Sequence, residues 1–426
     1  MTLGITVMPE YVQSEGADRV LTRLEEAGIN QVATSPYLMI QTVEGEGHRE
    51  PPIDSGSGKV RLLDRPLWGK HELWFRTTPS FVPNLALYEG LRYQPPACNR
   101  VTDTLLADFI SAAGKRGIQV YFQIMAAIPP ALRVQFGGPE VADQPCLPDG
   151  SNPENPLSKN ASLASPEILA YTQALTHDLL QQHPGIAGIR FDWPEYPCYH
   201  LDTVFTDFNP QVESFAVAGG FDFAAIQSAA AMLYTKLQNL SDADLAGESL
   251  FDLSGEPGAI RDWLRLKQHL VSHYNAALCA TVKGYGKEAI LHAFPPPFSE
   301  MTGFDFAANS AHADAIGMKL YTMHLPMILQ HYGRQLLAWN PGLDQARLTA
   351  ALNRWLDLGD EPLSSLDAYA YPTPAEAHPV SGGAQVRKIK AAAEQAPNIQ
   401  VMTHTYGPAN DFAKRLQLAI ENSPGG

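Results

Sequence analysis

The chain lacks any run of about eighteen apolar residues, so nothing in it reads as a membrane-spanning helix. It has no cluster of Lys and Arg: 30 basic residues face 45 acidic ones, for a formal net charge of −15. That balance opposes binding to nucleic acid or another polyphosphate, which needs a basic face. Only four cysteines occur, Cys98, Cys146, Cys198 and Cys279, widely spaced and without a CxxC or a Cys/His pair. This spacing excludes the usual structural zinc site and a disulfide framework, and free thiols suit a reducing cytoplasm. No GxGxxG follows the first strand-like segment, no HExxH appears, and that segment ends "MPE" without an HxH. Internal repeats and low-complexity linkers are also missing.

What is present is a long, loop-rich globular chain of 426 residues, 45% hydrophobic, with 33 glycines and 34 prolines. Its length admits two domains, or one (β/α)8 barrel with insertions. The first strand-like segment begins at residue 3 with no basic n-region or cleavage site before it, from which a cytoplasmic protein is expected.

Short β-branched or aromatic runs alternate with segments of helical period, the signature of βα units around a parallel sheet. Eight strands are expected, at residues 4–10, 31–37, 118–125, 187–193, 289–294, 315–323, 366–372 and 399–406. Between them, Leu105, Leu106, Phe109, Ile110 and Ala113 share a helix face, and "SPEI" opens another helix that turns Ile168, Leu175 and Leu179 inward. The expected fold is therefore α/β: a single (β/α)8 TIM barrel over 1–426, with a long βα-loop insertion at about 41–101 after strand two. A second long loop, 194–222, follows strand four. Both loops follow strands, on the side where barrel active sites form.

Within "GIRFDWPEYP" (188–197) side chains alternate, so Ile189 and Phe191 share one face while Arg190 and Asp192 share the other. The apolar pair belongs against helices. Arg190 and Asp192 then point inward, with Asp192 at the strand end, where burial costs several kcal/mol per ion unless the charge is paired. A structural Arg–Asp pair and a functional site are both compatible with this pattern. At the other strand ends the same alternation selects Glu10, Tyr37, Tyr121, Gln123, His292, Lys319, Tyr321, His404 and Tyr406, a hydrogen-bonding set of a kind that a structural barrel does not need.

The stretch "GIRFDWPEYP", with the helix "SPEILAYTQALTHDLLQQHPGIA" before it, resembles the fourth strand of bacterial glycoside-hydrolase-like barrels, and is distantly similar to the G-x-R-x-D strand of the α-amylase superfamily. The resemblance implies a glycosidase of carbohydrate metabolism, without cofactor or metal. In it Asp192 would be nucleophile or base, Arg190 would hold Asp192, and the partner would be a small carbohydrate. The α-amylase families place their acid after strand five, whereas here that strand holds His292 and no Glu follows before Glu300. Glu195, between Pro194 and Pro197, is the first candidate for proton donor, with Glu10 and Glu300 behind it. Trp193 and Tyr196 would wall it with apolar surface and raise its pKa.

Three rival readings stay open at this stage. Lys319 could form a Schiff base in an aldolase or lyase. Asp192, His292 and His404 could ligate one metal ion in a hydrolase or epimerase. The same aromatic residues could capture a sugar without turnover. Oligomeric state leaves no trace in the sequence.

Overall fold

A computed structural model describes residues 2–52, 62–63, 65–98, 104–131, 137–154 and 156–424. Ten strands occur among them: β1 (Gly4–Thr6), β2 (Gln31–Thr34), β3 (Tyr37–Thr42), β4 (His48–Glu50), β5 (Leu73–Pro79), β6 (Gln119–Met125), β7 (Gly188–Asp192), β8 (Glu288–Ala293), β9 (Ala315–Leu320) and β10 (Ile399–Thr403). Seven follow the order β1-β2-β6-β7-β8-β9-β10 in one sheet, and three follow β3-β5-β4 in another. Pairing is parallel at β1–β2, β2–β6, β6–β7, β7–β8 and β9–β10. Residues buried on both faces are what parallel strands require, and every residue of β2 and of β9 is buried.

The α/β class is thus as expected, but the strand count is not. Among the described residues the parallel sheet has seven strands, because 366–372 begins with a 3-10 helix, Leu366–Tyr369. Leu366 and Tyr369 are buried while Asp367 and Ala368 are exposed. That three-residue repeat belongs to a 3-10 turn, not to the period-two burial of a strand.

The chain divides into two compact units, Met1–Pro139 with Pro166–Asp192 and Ala276–Leu291, and Glu140–Ser165 with Trp193–Asn275 and His292–Gly426. In the first unit the helix Leu105–Lys115 buries Leu106, Phe109, Ile110 and Ala113, as the spacing predicts. The helix Pro166–Gln182 turns Ile168, Leu175 and Leu179 inward. The insertion holds the antiparallel sheet, whose core is Tyr37, Met39, Leu63, Leu67, Leu73 and Phe75. Residues 53–61, 64 and 99–101 of that insertion lie outside the described residues. In the second unit, β10 packs with the helices Gly382–Gln395 and Ala409–Asn422, and the helix His324–Trp339 packs with Gln345–Leu356. Among the described residues no helix is long and apolar enough to cross a membrane.

The start of β7 is fixed by contact between backbones. A Cβ at Gly188 would stand 1.9 Å from the carbonyl oxygen of Glu288, its partner residue on β8. Gly188→Ala is expected to destabilise the protein by about 3 kcal/mol in chemical denaturation, since neither backbone can retreat without breaking the ladder. Gly258→Ala, where nothing lies within 4 Å, is expected to stay within about 1 kcal/mol of wild type.

Candidate functional site

In the first unit, one face of β2, β6 and β7 carries two polar layers. The lower one gathers residues at the strand starts. Tyr121 donates to Glu288 at 2.6 Å, Gln31 donates to Gln119 at 3.1 Å and to the Tyr121 hydroxyl at 3.2 Å, and Arg190 donates to Gln31 at 3.3 Å. The Arg190 guanidinium also lies 5.0 Å from the Tyr121 ring centre. Tyr121 therefore belongs to a layer below the strand end, and Arg190 joins it there because its long side chain reaches back along the strand. The upper layer is at the end of β7. Asp192 is half-buried there and accepts a hydrogen bond from the Gln123 amide at 3.2 Å.

Two other expected site residues lie away from the end of a strand. Glu10 lies in the first turn of the helix Pro9–Glu15, not at a strand end, because Pro9 takes the first helical position after β1. It is 2% exposed. Tyr37 is buried at the start of β3, and its hydroxyl donates to the Pro130 carbonyl, which also accepts from Tyr171.

In the second unit the chain turns at Trp193, whose φ of 55° is in the left-handed region that costs a bulky residue strain energy. The Asn160 amide holds this turn by donating to the carbonyls of Trp193 and Glu195. Glu195 has no exposed surface. Lys319 forms an ion pair with it at 2.9 Å, Thr302 donates to it at 2.7 Å, and the Phe294 amide donates at 3.0 Å. The Lys319 ammonium lies 4.3 Å from the Phe294 ring centre and 5.0 Å from that of Trp193. Burial raises the Glu195 pKa, and the Lys319 charge with the hydrogen bonds from Thr302, Lys319 and Phe294 opposes that rise.

Beside this pair runs a series of ring contacts. Trp193 meets Tyr199 at 5.7 Å, Tyr199 meets His324 at 5.6 Å, His324 meets Tyr321 at 5.9 Å, and Tyr321 meets His404 at 5.5 Å. Tyr371 contacts both His324 and Tyr406. Tyr199 and His324 are also joined by a 2.7 Å hydrogen bond. Tyr321, His324, His404 and Tyr406 are half-buried, so this surface keeps ring faces accessible. His292 is 1% exposed and packs where a Cβ on Gly317 would stand 2.8 Å from its ring.

Of the expected residues, the second unit thus brings together Trp193, Glu195, Lys319, Tyr321, His404 and Tyr406. The alternation does not select Tyr199, Phe294, Thr302, His324 and Tyr371, since they lie on loops and at helix ends where period two has no meaning. Glu300 is exposed on the short helix Phe298–Thr302, beside Tyr332 and Trp355, and its apolar surroundings raise its pKa. Among the described residues no three of His, Cys, Asp and Glu are grouped as a metal ion would need. The Lys319 nitrogen is committed to Glu195 rather than offered to a carbonyl carbon.

No protein-family model matches the chain, and no curated protein matches its sequence. Among solved structures it is similar to the glycoside hydrolase domain of PgaB (BpsB) from Bordetella bronchiseptica, at 13% identity over all of both chains with a TM-score of 0.49. It is also similar to β-galactosidases from Marinomonas ef1 (13% identity, TM-score 0.45) and Rahnella sp. R3 (12%, 0.44). These two matches cover 99% and 100% of this chain but only 59% and 56% of the β-galactosidases, so the chain spans little more than half their length.

A buried lysine supports the loops that hold Glu195. Lys267 donates to the carbonyls of Val204 at 2.8 Å and Met301 at 2.7 Å, and burial lowers its pKa to about 7. The charged form is thereby disfavoured in the folded state. The penalty is fully present below about pH 7 and is relieved as pH rises towards the ordinary lysine value of 10.5. The stability of wild type relative to Lys267→Met is therefore expected to rise between pH 7 and pH 9, by up to about 1.4 kcal/mol per pH unit, in urea titrations of both proteins.

Proposed function

We propose that the chain is a glycoside hydrolase acting on a carbohydrate, with Asp192 as its nucleophile or general base. The observation that carries this reading is a half-buried carboxylate closing a parallel strand, held by the Gln123 amide and followed directly by the strained Trp193 turn. A carboxylate kept partly open at a strand end can approach an anomeric carbon or a water, which a fully enclosed one cannot. In the second unit, the half-buried Tyr321, His404 and Tyr406 offer ring faces and polar edges suited to sugar rings.

Glu195 takes a different part in this proposal from that of proton donor. Its two oxygens are engaged by Lys319, Thr302 and Phe294, and it has no surface open to a leaving group. Its part is to position Lys319 and the loops that carry Trp193 and Phe294.

With aryl glycosides as substrates, Asp192→Asn is expected to lower kcat by about 10²-fold or more, and unchanged turnover would remove Asp192 from the mechanism. Glu195→Gln is expected to lower kcat/KM by a similar factor on good and poor leaving groups alike, together with Tm. A loss confined to poor leaving groups would return Glu195 to the role of proton donor.

A further inference from the structure

The end of β7 has polar company that the catalytic reading leaves unused. Ser35 follows β2 directly and is 6% exposed, yet its hydroxyl has no hydrogen-bond partner among the described residues. The side-chain oxygen of Gln123 is also buried without a partner among them, while its amide nitrogen holds Asp192. Burying such atoms unpaired costs about 1–3 kcal/mol each, and a fold has no reason of its own to retain two of them side by side.

Register puts them on one face. Gln31 pairs with Gln119 and Ala33 with Tyr121, so Ser35 continues the row of Gln31 and Ala33, as Gln123 continues the row of Gln119 and Tyr121. Gln123 in turn pairs with Arg190, two residues before Asp192. Thr34 belongs to the opposite face with Val32 and takes no part. Ser35 and Gln123 share this face with Asp192, which the Gln123 side chain reaches by its hydrogen bond, and together they offer one hydroxyl, one amide oxygen and one carboxylate. One hydrogen of the Gln123 amide is engaged by Asp192, and the Gln123 oxygen and the Ser35 hydroxyl offer accepting capacity, which a ligand meets by bringing O–H donors.

We infer that Ser35 and Gln123 form a hydroxyl-reading subsite that sets which sugar is held beside Asp192, an inference that rests on the glycosidase reading. The ligand class is a neutral pyranoside whose ring hydroxyls donate to Gln123 and exchange a hydrogen bond with Ser35. A site that hydrogen-bonds a substrate hydroxyl discriminates strongly against the analogue lacking it, because its own buried groups then stay unpaired.

The test uses the full chain, with Ser35→Ala and Gln123→Met beside wild type. The substrates are the aryl glycoside that turns over best and its monodeoxy analogues. Ser35→Ala is expected to lower kcat/KM about tenfold on the parent and less than about twofold on one deoxy analogue, with Tm unchanged or raised because an unpaired buried hydroxyl is gone. Gln123→Met, which also removes the amide that holds Asp192, is expected to lower kcat/KM on every substrate, and by more on the parent than on one deoxy analogue. Equal losses across all deoxy analogues, or a fall in Tm with Ser35→Ala, would overturn the subsite. Binding of methyl glucoside, galactoside, mannoside, xyloside and N-acetylglucosaminide by calorimetry separates the two readings. If wild type binds one of them but hydrolyses no glycoside, the hydrolase reading fails. The subsite then stands if Ser35→Ala weakens that binding about tenfold and falls if it does not. Absence of both binding and turnover in wild type overturns both.

Discussion

The second unit is organised around one buried ion pair, Glu195 with Lys319 at 2.9 Å. Removing either partner would leave an uncompensated charge in a place that water does not reach, which costs far more than the pair itself contributes. Such a pair survives only when the remaining hydrogen-bonding capacity is filled, and here Thr302 and the Phe294 amide fill it on the carboxylate side. The ammonium is enclosed by the Phe294 and Trp193 rings. One interaction therefore ties the turn after β7, the segment after β8 and the strand β9 to a single geometry.

The lysines around it extend the same logic by a cheaper device. Lys267 clamps the carbonyls of Val204 and Met301, and Lys388 those of Pro296 and Leu356. Neither needs a carboxylate, because each donates to backbone oxygens, those of Val204, Met301 and Leu356 lying in the last turn of a helix where no intrahelical amide is left to meet them. The cost appears as pKa values lowered to about 7 in both. Loops built in this way are rigid without belonging to a sheet, and a rigid support is what the half-buried rings of Tyr321, His324, His404 and Tyr406 need if they are to present fixed faces.

Period-two alternation made much of this legible in advance. It located seven strands to within a few residues, because a parallel strand buried on both sides reads as a short apolar run in which polar residues are conspicuous. Its failures have physical causes. Leu366 and Tyr369 read as strand by composition, yet are buried three apart, which only a helical turn allows. The antiparallel sheet of the insertion was missed although Leu73 and Phe75 alternate with Trp74 and Arg76, since one amphipathic strand among prolines and arginines carries too short a signal. Thr302 and His324 had no signal at all: their positions are set by which loop folds over which, a matter of tertiary contact rather than local period.

Alternation also says which face a side chain takes but not how far along the strand it works. Arg190 and Asp192 share a face and stand about 6.6 Å apart along β7, at roughly 3.3 Å per residue. That distance is enough to separate two environments. Arg190 joins Gln31, Gln119, Tyr121 and Glu288 in a layer whose hydrogen bonds are made within the protein, whereas Asp192 belongs with Gln123 and Ser35, where two buried oxygens have no partner among the described residues. The lower layer is joined by hydrogen bonds across three strands, from Arg190 through Gln31 and Tyr121 to Glu288. Period two assigns the face, while side-chain length decides which neighbours a polar residue meets: the long Arg190 side chain reaches the start of β2, and the short Asp192 stays beside Gln123.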